Sequence, residues 1–539
     1  MFIKNKNKIL LLSANVLLVF FAILLSNLHI LPLRLGDFIF FAILTLALTL
    51  YRPGWGFLFF VGTIMLENIN LAPIDLGIAI RPYQFFGGLT ILAMIMRLVT
   101  RRLDFKLIKV AWHDWMIIIF GVASFVSALF SMNVAGSLKQ SVILASFIAL
   151  YFLVRNYIQS MDDLKKIIPF FLSSSIVVIL YSIWQNVRFI QNYSSFEVMP
   201  GRPNGTFTEA DWLGIFLLLL LAVAYSLMFY VYKKRDVIID AAQISNSKFQ
   251  ISNKIPNLNF QILKIFLFGF LILIFITLIL TVARSAWVGA VAVTTVFLFL
   301  VFTQLKMNYK FWQWKDTINM KLIIIPSFVL SVCVVYFLHL TNFQLGNRLQ
   351  STGSGMQEIT ISCQNEGLSP HKGDLVPVEE LEKINCKHIN LEEIESEKRS
   401  GNFVTEVYRI DPNVSVRGEI YKKSWQLIKE NPILGIGWGN ISAYLGTDNR
   451  GAGLNASNIF LEIWLGSGII GLVAFTIAWM LIFLRAITFL FFAIQEEKAL
   501  LLFILLGWFA LTIPNLFNSG ILLGFLWLFL GVAFINEKK

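Results

Sequence analysis

Along the 539-residue chain the apolar positions fall in long unbroken runs, not in the alternation of a half-buried strand or the three-to-four spacing of a soluble amphipathic helix. Charge-free runs of about 17 to 22 residues match what a helix needs to cross roughly 30 Å of hydrocarbon. In order, they predict spanning helices near 9–29, 37–51, 55–70, 84–99, 112–130, 140–157, 168–188, 212–232, 265–283, 285–304, 322–341, 458–484, 499–512 and 520–535. The third and the last two are short, so the expected count is 12 to 14. Neither the ten-residue alternation of a membrane β-barrel nor the broken helices and inverted repeats of a transporter are legible. The first run follows Lys4, Lys6 and Lys8, as in a signal peptide, yet it is long and lacks a small-residue cleavage site, so it reads as a retained helix.

Composition strengthens this reading: 57% of residues are hydrophobic, 14% are charged and 50 are Phe, more apolar surface than a soluble domain buries. The expected fold is an all-α polytopic membrane protein with one large extramembrane loop. Its expected segments are N-terminal helices (1–199), helices bearing outer-face arginines (200–341), the loop (342–456) and C-terminal helices (457–539).

Positive charge orients the helices, because short cytoplasmic loops retain Lys and Arg. The clusters Arg97/Arg101/Arg102/Lys106/Lys109 and Lys233/Lys234/Arg235 fall on one side, and only Arg34, Arg81, Lys139, Arg188, Arg202 and Arg284 fall in short segments on the other. Both termini and the 233–264 segment are therefore expected in the cytoplasm, with 342–456 outside. The net charge of +12 is mostly this topology signal, and no nucleic-acid partner is implied. The loop, with 12 basic and 15 acidic residues, alone has the composition of a soluble domain. It holds Cys363 and Cys386, which an oxidising compartment permits to pair or leaves as thiols. With His371 and His388 they lack the paired spacing of a zinc site, so no metal is expected.

The chain contains no phosphate-binding G-x-x-x-x-G-K-S/T, no H-E-x-x-H and no G-x-S-x-G. Its chemistry has to come from polar residues at helix ends, which are costly to keep near lipid. Four clusters stand out. In 201–214, GRPNGTFTEADWLG, Gly and Pro form a turn, Arg202 can reach an anion, and Glu209 and Asp211 precede an apolar run that Asp211 can cap. In 281–289, TVARSAWVG, Arg284 interrupts an apolar stretch of nearly 40 residues, as an interface anchor or as an anion ligand. In 415–440, SVRGEIYKKSWQLIKENPILGIGWGN, Arg417 heads an amphipathic helix that ends in a glycine-rich turn. In 455–475, NASNIFLEIWLGSGIIGLVAF, Ser457, Asn458 and Glu462 lead back into the bilayer.

The order of G-T-F with W-L-G, then R-S-A-W-x-G, then N-P-I-L-G-I-G-W-G, then S-N-I-F-L-E with G-I-I-G-L resembles the O-antigen ligase and polymerase superfamily over roughly residues 200 to 535. The resemblance implies transfer of a glycan from a polyprenyl-diphosphate carrier to a glycan, lipid or protein acceptor at the outer face of the cytoplasmic membrane, with no cofactor. It implies that arginines hold the diphosphate, here Arg202, Arg284 and Arg417, with Asn458 beside them. Ligases carry His-Asn where this chain has Ser457-Asn458, and a serine hydroxyl is too weak a base to replace imidazole. Asp211, Glu209 and Glu462 are then the candidate bases. A transporter or flippase that binds a glycolipid or small anion without making a bond is the alternative.

Overall fold

The computed structural model describes residues 7–191, 193–198, 201–244, 254–303, 305, 314–340, 356–364, 369–389, 394–410, 412–447, 453–493 and 495–535. Lys4, Lys6, both chain ends and residues 245–253 of the expected cytoplasmic segment lie outside them.

The described residues form two compact units, 1–334 with 427–539, and 335–426. The first is helical: α1 (Lys8–Asn27), α2 (Leu35–Tyr51), α3 (Pro53–Thr63), α4 (Pro82–Val99), α5 (Trp112–Leu129), α6 (Val134–Tyr157), α7 (Met161–Ile190), α8 (Ala210–Ile244), α9 (Lys254–Leu280), α10 (Arg284–Phe302) and α11 (Trp314–Phe337). After the second unit it resumes with α13 (Ile459–Leu490), α14 (Gln495–Asn515) and α15 (Gly524–Ala533), reached through α12 (Pro412–Glu430), which carries the chain from one unit to the other.

Among the described residues eleven helices are long and apolar enough to cross a membrane, and α2 and α15 are shorter apolar helices. Outward-facing Ile9, Phe40, Ile43, Val291 and Ile325 are exposed, as expected of a wall solvated by lipid. α8 lies innermost, with 83% of its apolar window buried. The protein is a polytopic all-α membrane protein.

Polar side chains fix the contacts that apolar packing leaves ambiguous in lipid. Asn15 of α1 donates to the Ser174 hydroxyl of α7 at 2.7 Å, and the Ser124 and Ser141 hydroxyls join α5 to α6 at 2.9 Å. Where α5 begins and α6 ends, the fully buried Asp114 accepts from Tyr151 and Arg155, while Arg155 and Arg485 donate to the carbonyls of Phe534 and Ile535.

Two expectations change. The predicted 55–70 span is helical only over Pro53–Thr63, and residues 64–81 continue as turns and coil with one 3-10 turn at Ile74–Leu76, held by Asn70, whose side chain accepts from the amides of Ala72 and Ile80. The second concerns α13, which is not continuous: Gly468 has φ +67° and ψ −174°, outside helical geometry, so the helix breaks one-third of the way along.

The second unit is built on a three-stranded antiparallel sheet of β1 (Met356–Cys363), β2 (Cys386–Ile389) and β3 (Phe403–Ile410) in the order β2-β1-β3. Ile359, Ile361, Leu381 and Val407 form its core. Cys363 and Cys386 are directly opposed in the β1–β2 register and are joined by a disulfide. Glu397 accepts from Lys387, Ser362 and Asn402, and these bonds hold its carboxyl down at about 2.

Candidate functional site at one end of the helical unit

The turn before α8 is held from within. Gln185 accepts from the Gly205 amide at 2.7 Å, and Asn204 accepts from the Val198 amide at 3.1 Å. Glu197 accepts from the Gly201 amide and the Ser195 hydroxyl, and burial pushes its carboxyl up to about 7. From this turn Arg202 donates through Nε to the Thr281 carbonyl at 3.1 Å, and its Nη2 lies 3.4 Å from Asp211 Oδ2. Both side chains are mostly enclosed, 11% and 23% exposed. Asp211 does not sit at the cap: the Glu209 carbonyl accepts the Leu213 amide, which makes Glu209 the start of α8 and places Asp211 in its first turn, where a carboxylate also complements the helix dipole.

Thr281 is three residues before Arg284, the first residue of α10. Arg284 is half-buried. The turn is tight, with Val282 at φ +51°, and Ala283 and Ala286 lie against Gly214 of α8. Residue types without bulk bring α8 and α10 close, and with them the two arginine-bearing turns. Ser285 accepts from Asn518 at 3.1 Å, tying α10 to the α14–α15 linker.

At the start of α13, Asn458 is the N-cap: its side-chain oxygen accepts from the amides of Phe460 and Leu461, and its Nδ2 donates to the Leu516 carbonyl. Glu462 is buried and accepts from the Ala456 amide at 2.5 Å. Ser457 sits between them at φ +49°. Asn458 and Glu462 thus secure the turn that presents Ser457. Arg417 lies on α12 in the second unit and is half-buried, and its charge lowers the Tyr421 hydroxyl that burial raises.

The N-P-I-L-G-I-G-W-G stretch fills the break in α13. The amides of Ile436 and Gly437 donate to the Leu465 carbonyl, the Ile469 amide donates to Pro432 and Ile433, and the Trp464 indole donates to Pro432. The Leu465 carbonyl and the Ile469 amide beside the break thus have partners in this stretch, as lipid requires of backbone freed from a helix. A methyl on Gly435 would stand 2.5 Å from the Leu465 oxygen, and one on Gly468 would overlap the Ile433 carbonyl. Trp438 then lies against Gly466 and edge-on to Phe120, and the Gly439 amide donates to Ser137. The glycines make a backbone crossing possible, so this part of the motif is architectural.

Sequence reading missed two acids at this end, Glu197 of the Arg202 turn and Glu67. Glu67 is fully enclosed and paired with Arg81, 3.1 Å away, and with the Tyr83 hydroxyl. The available signal was that Glu67 is the only charged residue between 53 and 74.

The family described as O-Antigen ligase matches residues 269–476, which contain Arg284, Arg417, Ser457, Asn458 and Glu462 but not Arg202 or Asp211. No curated protein and no solved structure matches the chain. The chain is thus a polytopic membrane protein whose residues 269–476, under half of its length, are similar to the O-antigen ligase family.

Proposed function

We propose that the chain transfers a glycan from a polyprenyl-diphosphate carrier to an acceptor hydroxyl at the outer face of the cytoplasmic membrane, in surface polysaccharide assembly. The observation that supports it best is the bond from Arg202 to the Thr281 carbonyl, which sets a second guanidinium beside the turn that carries Arg284. A lipid-linked glycosyl diphosphate carries its own activation in its leaving group. The acceptor oxygen attacks the anomeric carbon, the bond from that carbon to the diphosphate oxygen breaks, the hydroxyl proton passes to a carboxylate, and the diphosphate departs on its lipid. Guanidinium groups stabilise the departing charge through paired N–H donors.

In this reading Arg202 and Arg284 bind the diphosphate, and Asp211 is the proton acceptor, set by its contact with Arg202. Glu209 and Glu462 position the backbone. The positive-charge bias supports cytoplasmic termini, an outward loop over 342–456 and an outward arginine end.

A transporter would use the break in α13 to coordinate cargo. The Leu465 carbonyl and the Ile469 amide at that break are instead taken by residues 432–437, which favours the transferase.

The deciding experiment is transfer by purified protein from a polyprenyl-diphosphate oligosaccharide, followed by product analysis, with Arg284→Lys as the variant. Lys keeps the charge but lacks the planar fork, so transfer is expected to fall roughly 30- to 150-fold, or about 2–3 kcal/mol. Near-normal transfer by the Lys variant removes Arg284 from the site. Carrier movement across vesicles with no new glycosidic bond replaces the transferase by the transporter.

A further inference from the structure

The enclosed carboxylate of Glu67 sits where three strands of the site meet. Its Oε1 accepts the Gly524 amide, the first of α15, at 2.5 Å, and its Oε2 accepts the Tyr83 hydroxyl at 2.9 Å. Arg81 lies 3.1 Å from Oε2 through Nε, which also donates to the Glu67 carbonyl at 2.8 Å, while Nη1 donates to the Tyr83 hydroxyl and the Leu522 carbonyl. An acid without exposure is expensive in a membrane protein unless it is paired and hydrogen-bonded, as here. The cost implies a use.

The bonds leaving this cluster show where that use lies. Beside Glu67, the Asn68 amide donates to the Thr206 carbonyl at 2.8 Å, and the Thr206 hydroxyl donates to the Met65 carbonyl at 2.6 Å. Thr206 belongs to the turn that carries Arg202. In the other direction Leu522 and Gly524 anchor the α14–α15 linker. That linker in turn reaches Ser285, next to Arg284, through Asn518, and Asn458 at the head of α13 through the Leu516 carbonyl.

We propose that Glu67 and Arg81 are a positioning pair for the anion site, holding the Arg202 turn and the 516–524 linker in register so that Arg202, Arg284 and the head of α13 face one substrate. The proposal rests on the transferase reading for what is positioned, but the register it describes can be measured without turnover. Glu67→Gln keeps an oxygen for the Gly524 amide and removes the charge that fixes Arg81. Displacement of a binding group by about 1 Å can cost on the order of 100-fold in rate.

The test combines hydrogen–deuterium exchange with a mutant cycle on the purified full-length protein in detergent. In Glu67→Gln, exchange is expected to rise in 201–207 and 516–524 and to stay unchanged around Asp114 and Arg155 at the other end. Transfer is expected to fall about 10- to 100-fold in kcat, with KM for the lipid donor within about threefold. Because the pair acts in part through Arg202, adding Glu67→Gln to Arg202→Lys should cost less than Glu67→Gln costs in the wild type, so the two losses should not simply multiply. If Glu67→Gln is recovered poorly, Tyr83→Phe removes one bridging hydroxyl, leaves the ion pair, and should give the same exchange pattern at lower amplitude. Unchanged exchange in both segments, exchange raised throughout the unit, or losses that multiply in the double variant would each overturn the positioning role. Wild-type protein that forms no product sinks the transferase reading instead, and the exchange pattern alone then decides the pair.

Discussion

Gly468→Ala probes the crossing of α13 with the N-P-I-L-G-I-G stretch. At φ +67° and ψ −174° the residue occupies a region that is essentially reserved for glycine, costing a side-chain-bearing residue about 1–3 kcal/mol. The added methyl would overlap the Ile433 carbonyl, which is backbone and cannot rotate aside, so the crossing has to open. Opening breaks the bonds made by the Ile436, Gly437 and Ile469 amides and by the Trp464 indole. At about 1 kcal/mol net for each, they bring the total to about 5–7 kcal/mol, comparable with the whole stability of many domains. The assay is an unfolding titration in mixed detergent, with Gly269→Ala as control: Gly269 lies inside the regular helix α9, and a methyl there meets nothing within 4 Å. The control should lie within about 1 kcal/mol of wild type. If Gly468→Ala also lies within that range, the backbone crossing is not what those glycines are for.

The remaining expectations are smaller. Ser457→Ala should keep most transfer activity, because a hydroxyl is a poor base, whereas Asp211→Asn should lose about 10²–10⁴-fold; the reverse order would return the proton to Ser457. In the second unit Glu397 has its carboxyl held near 2, so its stabilising contribution is full above the ordinary carboxylate value of 4.5 and disappears as pH falls from there towards 2. Glu397→Gln should flatten that acid limb in an unfolding-versus-pH curve, and an unchanged limb would refute the assignment. Cys363→Ser with Cys386→Ser opens a link across 23 residues and should destabilise the sheet by about 3 kcal/mol, measured as proteolytic nicking between β1 and β3.

What the sequence made legible follows from which forces leave a linear trace. Spanning helices do, because lipid imposes length and apolarity on one continuous stretch, and the runs near 9–29, 112–130 and 212–232 correspond to α1, α5 and α8. The break in α13 left no such trace. Ile469, Ile470 and Leu472 keep the stretch apolar through Gly468, and hydropathy does not register a torsion angle. Glu67 was lost for the opposite reason: a single acid inside an apolar stretch was absorbed into a span, although its partner Arg81 lay in the next polar segment. Asp211 was placed two residues off as the cap, since sequence does not show which carbonyl accepts the first helical amide, here that of Glu209. The sheet of 335–426 had no counterpart in the sequence reading, because its short strands are separated by long connections and only composition marked the segment as a domain.

The bond from Gly439 to Ser137 joins residues 302 apart in the chain. At about 5–20 residues per second, a ribosome that has just finished the α5–α6 turn needs roughly 15 to 60 s to produce the segment that covers it. Throughout that interval the backbone of Gly136 and Ser137 would lack the Gly439 segment that packs against it. A product truncated before residue 432 would therefore leave the translocon with the α5–α6 turn uncovered, so a truncation series should show protease sensitivity at that turn until the 432–440 segment is included.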